Sequence, residues 1–281
     1  MIIDAHCHAW RFWPYEPLVP DPASRARVEQ LLFEMDQHGV DQAVVICAHI
    51  AHNPDNNAYV AESVRRYPDR LHQFVDVDSF WSPTYHSPGG AERLSAATRA
   101  CGARGFTHYV RDDDDGSWFL SPDGLAFFGQ AAEQRAIASL ALPARLQPVL
   151  REVARRFPTV PFLCHHMAGA RVDESAAALA DILASAHMPN IHVKLSGFHY
   201  ASAMPWGYPY DDCAAIVRAL YEHFGPERLH WGSDYPVVRR AATYQQALEM
   251  VRTHHAFIDP SDRRRILGAS LGDLLARHSA A

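Results

Sequence analysis

The chain opens MIIDAHCHAW over residues 1–10, and the fold turns on how this stretch is read. A short, largely apolar run passes directly into His6-Cys7-His8, with no glycine-rich turn after it. An open, doubly wound sheet normally carries a phosphate-binding glycine turn after its first strand, so that architecture lacks its signature here. Seven further apolar runs follow: DQAVVICAH, LHQFVDV, ARGFTHYV, AIASLAL, TVPFLCHH, NIHVKLS and RLHWGSD. Between them lie segments with helical apolar spacing, over 24–38, 55–67, 89–100, 121–134, 144–157, 173–186, 211–224 and 243–257. Start signals recur, such as Ser121 with Pro122, and so do stop signals, such as Gly39, Gly102 and Gly225.

Continuous apolar strands that alternate with helices imply parallel pairing through right-handed crossovers. Eight such units in 281 residues give an α/β fold, a (β/α)8 TIM barrel, as a single domain over residues 1–281. The region 260–277 reads as two short helices closing the barrel at its bottom or rim.

Composition narrows the function. The chain carries 26 Lys+Arg against 32 Asp+Glu, a formal charge of -6, with no basic run. A phosphate backbone or an anionic membrane surface has nothing to bind, so neither nucleic acid nor membrane is expected as a partner. No apolar stretch approaches the roughly 20 residues of a spanning helix. The first residues lack the basic and apolar regions of a secretory signal, so a cytoplasmic location is expected. Five cysteines without CxxC spacing read as reduced, mostly packed thiols. The 18 histidines are the unusual feature.

In a barrel, reactive groups come from the C-terminal ends of the strands. Those ends carry His6 and His8, His49, His108, His165 and His166, Lys194 to Ser196, and Asp234. Residues two apart on a strand share a face, so His6 and His8 should point together into the barrel mouth while Cys7 points to the helices. Two adjacent imidazoles suit a divalent metal; His166 and Asp234, each at another strand end, would complete a set of four. Zinc is the expected ion, and a metal-free site in which the rings act as hydrogen-bond donors is the alternative. His49 is a candidate donor to a substrate carbonyl. His199, Tyr200, Arg111 and Lys194 are candidate substrate contacts, with Lys194 equally readable as an inward lysine paired to a barrel carboxylate. The loop 10–22 should wall the pocket.

Four stretches, MIIDAHCHAW, FLCHHMAG, VKLSG over 193–197 and LHWGSDYP over 229–236, resemble the amidohydrolase superfamily, nearest its amidohydrolase-2 branch. The resemblance implies a barrel enzyme of a group containing lactonases that act on sugar lactones and on 2-pyrone-4,6-dicarboxylate, with a sister branch of zinc-dependent decarboxylases. It places His6 and His8 on the first-strand pair, His166 on the sixth-strand histidine and Asp234 on the eighth-strand aspartate. Two positions depart from the group: His165 stands where an aspartate is usual, and Thr107 where an arginine would meet a substrate carboxylate. A dicarboxylate substrate is therefore disfavoured.

The expected reaction is opening of a small lactone, or a related cyclic ester or amide, by water. Asp234 serves as general base, and His6, His8 and His166 as metal ligands or electrophilic donors. Non-oxidative decarboxylation of an aromatic or unsaturated acid is the competing enzyme class, and a barrel that binds a ligand without turnover is the third. A small-molecule substrate is the expected partner, with a homo-oligomer compatible with the sequence. There is no G-x-S-x-G elbow, P-loop or dinucleotide fingerprint.

Overall fold

A computed structural model describes residues 1–278, so the last three residues of the expected domain lie outside the described region. Eight parallel strands pair in sequence order: β1 (Ile3–Cys7), β2 (Gln42–Ile46), β3 (Leu71–Asp76), β4 (Gly105–Tyr109), β5 (Ile137–Ala141), β6 (Phe162–Cys164), β7 (Ile191–Leu195) and β8 (Leu229–Trp231). The ring closes between β1 and the residues after β8, through a Cys7 to Tyr235 bridge and the bonds Asp234 N–H to His6 O and His8 N–H to Tyr235 O. The fold is the expected (β/α)8 barrel.

The helices are α1 (Val28–His38), α2 (Asn56–Arg66), α3 (Gly90–Cys101), α4 (Pro122–Glu133), α5 (Gln147–Arg156), α6 (Ala176–Ala184), the short α7 (Phe198–Ala201), α8 (Ala214–Phe224), α9 (Tyr244–Glu249), α10 (Pro260–Arg264) and α11 (Ser270–Arg277). Local chemistry sets several ends. Ser121 caps α4 by accepting from Gly124 N–H, and Thr243 and Gln246 form a reciprocal capping box on α9. Helix α1 begins four residues later than the spacing predicts. Asp21 holds a turn through its carbonyl and carboxylate, which bond Ser24 and Arg25, and the helix starts only beyond it.

The barrel interior is apolar at its lower end. Ile3, Ala5, Val44, Ile46, Phe74, Ile137 and Leu163 pack there against Leu271, Leu274 and Leu275 of α11. The C-terminal region therefore plugs the bottom, one of the two positions expected for it. Higher up, the interior turns polar, with Ser139, Lys194, His6 and His165 all buried. The outer faces of the strands join the helices in one large core that includes Cys7, Val45, Val193 and Trp231.

Strand β1 is not regular. Asp4 pairs with Ala43 and Cys7 with Val45, so one extra residue sits on β1 between these pairs. Such a bulge reverses the alternation of faces. Ile3 and Ala5 point inward below it, yet His6 and His8 also point inward above it, with Cys7 outward. Asp4, on the outer face, ties the ends together by accepting from His6 N–H, Ser233 N–H and the Tyr244 hydroxyl. Burial pushes its carboxyl up to about 6. Among the described residues no helix is long and apolar enough to cross a membrane.

Candidate active site

The top of the barrel brings most of the expected residues together. Asp234 is 1% exposed, and its Oδ1 lies 3.4 Å from His6 Nε2 and 3.5 Å from His8 Nε2. Its Oδ2 accepts from the Tyr200 hydroxyl at 3.0 Å, with His199 Nε2 at 4.0 Å. His166 sits beside His6, their ring centroids 4.6 Å apart, and packs against Tyr200 at 5.0 Å. Burial acts to raise the Asp234 carboxyl, but His166, His6 and His8 outweigh it and hold the group below the usual carboxylate range.

The backbone at the rim is unusual. His166, Met167 and Ala168 have φ of 47°, 54° and 60°, and Asp234 has φ of 59°. Non-glycine residues in the left-handed region are uncommon and concentrate at functional sites. Here the turn after β6 swings His166 back over the barrel mouth. Two glycines make room for the rings. A methyl on Gly197, itself at φ +66°, would lie 2.5 Å from His166 Nδ1, and one on Gly232 would lie 2.7 Å from His6 Cβ. These close approaches account for the glycines of VKLSG and WGSD.

Each ring is oriented from behind. His8 Nδ1 is 2.7 Å from the Ile46 carbonyl, which can only accept, so Nδ1 carries the hydrogen and neutral His8 presents a lone pair at Nε2. His166 Nδ1 meets Ser196 Oγ at 3.1 Å. Lys194 Nζ lies 3.2 Å from His6 Nδ1 and donates to Ser139 Oγ at 2.7 Å; Ser139 Oγ in turn is 2.6 Å from His165 Nε2. Burial lowers Lys194 to about 7. Burial first, then Lys194, keeps His6 and His165 well below the ordinary histidine value, and burial brings His166 down to about 4.

Three expected residues lie elsewhere. His49 turns away: its backbone N–H donates to Asp76 Oδ2 at 2.7 Å, its Nδ1 is 3.8 Å from the same oxygen, and its Nε2 accepts from Asn57 N–H at the start of α2. The buried Asp76 thus holds His49 on the β2 and β3 side. Arg111 is exposed, with its guanidinium 5.0 Å from the centre of the Tyr85 ring, an aromatic face that draws it out of the cavity. Lys194 is fully buried beneath the rings, with neither an open path to substrate nor the carboxylate partner expected for it; its near neighbours are His6 and Ser139.

Sequence reasoning missed Ser139, although a lone hydroxyl inside the apolar run IASLA marked the position. His165 reads in the sequence as a strand-end residue and a departure from the group, not as a member of the ligand set. Two cavities adjoin the cluster. An inner one of about 80 Å3 is lined by His8, Tyr15, Ile50, Trp81, Tyr109, His166, Tyr200 and Asp234. An outer one of about 630 Å3 runs from His165, His166 and Tyr200 past Phe80 and Leu142 to Arg145 and Arg171. The second is in the size range of small-molecule sites. As expected, the loop 10–22 contributes a wall, through Tyr15, while Trp10 stacks on His8 with centroids 4.8 Å apart.

The donor set fits a divalent cation. His6 Nε2 and His165 Nδ1 are buried with no hydrogen-bond partner, and His8 Nε2 faces a carboxylate oxygen. The convergent atoms form two sets of three, His6 with His8 and Asp234, and His6 with His165 and His166, each set within 4.8 Å. The expected quartet of His6, His8, His166 and Asp234 thus divides: His166 groups with His6 and His165.

A parallel eight-stranded barrel with histidines and an aspartate converging at the C-terminal rim carries its polar cluster where barrel enzymes have their active sites. The chain belongs to the amidohydrolase family, whose model matches residues 3–269, and it is a hydrolase of that family. It is similar to an L-fucono-1,5-lactonase of Burkholderia ambifaria, 27% identical over 95% of this chain and 93% of that one. Among solved structures it resembles an amidohydrolase of Burkholderia multivorans with bound zinc, at a TM-score of 0.78 and 22% identity over 98% of this chain and 99% of that one. It also resembles a probable 2-pyrone-4,6-dicarboxylic acid hydrolase of Acinetobacter baumannii with citric acid bound, at a TM-score of 0.77 and 18% identity, covering 98% and 99% of the two chains.

Proposed function

We propose that this hydrolase opens the ring of a small lactone, with Asp234 as general base. The observation that carries the reading is the environment of Asp234: a buried carboxylate held below the usual range, with His6 Nε2 at 3.4 Å and His8 Nε2 at 3.5 Å from its Oδ1. An ionised carboxylate at the barrel mouth has the lone pair that a base needs before it acts. The lactonase relatives support the substrate class.

The water oxygen adds to the lactone carbonyl carbon as Asp234 accepts its proton. The resulting oxyanion is stabilised by ring nitrogens of His6 and His166 acting as electrophiles. Collapse breaks the bond between the carbonyl carbon and the ring oxygen, and the proton held at Asp234 passes to that oxygen to give the hydroxy acid. Tyr200, donating to Oδ2, fixes the carboxylate so that Oδ1 faces the rings. His199 stands at the edge of the same carboxylate, and the aromatic walls from Tyr15, Trp81 and Tyr109 keep the inner cavity narrow and poor in water. A divalent ion, zinc in this reading, would supply Lewis acidity to the carbonyl and to water, with its donors drawn from His6, His8, His165, His166 and Asp234.

Ring opening measured on a panel of aldonolactones, beside carbon dioxide release from a panel of aryl acids, tests the reading. Turnover on the first panel is expected. Carbon dioxide release without lactone opening would replace it with the decarboxylase reading.

A further inference from the structure

We infer that the lactone this enzyme opens carries an apolar arm on its ring, and that the arm occupies the outer cavity. The inference rests on the proposed function for the reacting centre and deepens it by naming the class of substrate.

Three observations support it. The first is continuity. Tyr109, His166 and Tyr200 line both the inner cavity beside Asp234 and the outer one of about 630 Å3. A ring whose carbonyl meets the rim histidines has the outer cavity as the adjoining space for its substituent.

The second is how the lining of the outer cavity is sorted. Its walls are apolar: Val110, Leu142 and Ala170 are buried, with Pro143 and Ala178 half-buried beside them. Its four charged residues, Asp112, Arg145, Arg171 and Glu174, are all exposed. Both guanidinium groups are already engaged. Arg145 donates to the carbonyls of Asp112 and Asp114, and Arg171 donates to both carboxylate oxygens of Asp173. A polyhydroxylated arm needs free donors and acceptors along the walls to replace its bonds to water. Apolar walls behind a charged lip suit a hydrocarbon arm instead.

The third is Phe80. Its backbone N–H donates to the Tyr109 carbonyl, which fixes the residue at the cavity, yet it is 41% exposed. A large apolar ring left uncovered in the wall of a concave site is surface that an apolar ligand removes from water.

The test uses the full-length enzyme and a series of δ-lactones that carry a methyl, propyl or pentyl group beside the ring oxygen. A lactone with a polyhydroxylated arm of matching length is the comparison. The value of kcat/KM should rise by roughly 10- to 100-fold from the methyl to the pentyl compound, the scale of burying several methylenes. The polyhydroxylated compound should fall below the pentyl one. Values that stay level or fall with chain length, or a preference for the polyhydroxylated arm, overturn the inference. Phe80→Asp and Leu142→Gln put polar groups on the wall and should each cut the pentyl-to-methyl ratio by about fivefold or more. The ratio is taken within one preparation, so it does not depend on how much of a variant folds. An unchanged ratio in both variants also overturns the inference.

Binding is measured by calorimetry with tetrahydropyrans bearing the same methyl and pentyl groups, whose rings have no carbonyl to attack. Tighter binding of the pentyl ether without opening of any lactone keeps the cavity assignment and removes the proposed function. Lactone opening with no gain in rate or affinity from the chain does the reverse.

Discussion

Gly197 and His166 stand so close that a single methyl on the first would come within 2.5 Å of Nδ1 of the second. Gly197 also has φ of +66°, where a side chain costs about 1–2 kcal/mol. Gly197→Ala should therefore lower the melting temperature by a few degrees and displace the His166 ring. The expected loss in kcat/KM is at least tenfold, well beyond what so small a change in stability produces. Thermal unfolding and lactone turnover measured on the same preparation check this, and unaltered turnover would show that His166 is not held where it works.

Asp234→Asn keeps the shape of the side chain and removes its ability to take a proton. General base catalysis contributes roughly 10²–10⁴ in rate, so kcat should fall by that much. The circular dichroism spectrum should match the parent. Near-normal ring opening would remove Asp234 from its assigned role.

Tyr200→Phe deletes the hydroxyl that donates to Asp234 Oδ2 at 3.0 Å. A hydrogen bond to a charged group contributes about 1.5–3 kcal/mol, so kcat should drop by roughly 10- to 100-fold if that bond orients the base. KM should move less, because the ring of Phe still lines the cavity. A change confined to KM would make Tyr200 a substrate contact only.

Stability should depend on acid through the barrel interior. His192 and His230 meet at 3.0 Å inside it, and burial lowers His192 to about 3 and His230 well below its ordinary value. The unfolded chain takes protons on these rings below about 6.5 while the fold refuses them. The stabilisation is thus fully present above about pH 6.5 and is lost as the pH falls toward 3, at about 1.4 kcal/mol per pH unit for each ring. Urea unfolding of His192→Gln at pH 5 and pH 7 should show a pH slope shallower than the parent's by about one proton.

The barrel was legible because eight apolar runs alternate with helical spacing, a pattern fixed by burial on both strand faces. The positions of His6, His8, His166, His199, Tyr200 and Asp234 followed from the rule that strand ends carry reactive groups. What stayed hidden depends on contacts between distant segments. Nothing near His49 in the sequence announces that Asp76 will hold it away from the mouth. Arg111 is lost to the ring of Tyr85, which arrives from another loop. Ser139 acquires meaning only when Lys194 and His165 reach it from two other strands. The left-handed turn at 166–168 has no glycine before Gly169 to advertise it.

The extra residue in β1 has a mechanical consequence for how this enzyme can be altered. Below it, Ile3 and Ala5 keep time with the hydrophobic plug; above it, the imidazole pair keeps time with the rim. The two halves of one strand are phased independently. Excising Ala5 would leave a regular strand in which Ile3, His6 and His8 face inward and Asp4 and Cys7 outward, so the imidazole pair would keep its place at the rim while the plug below lost one small side chain.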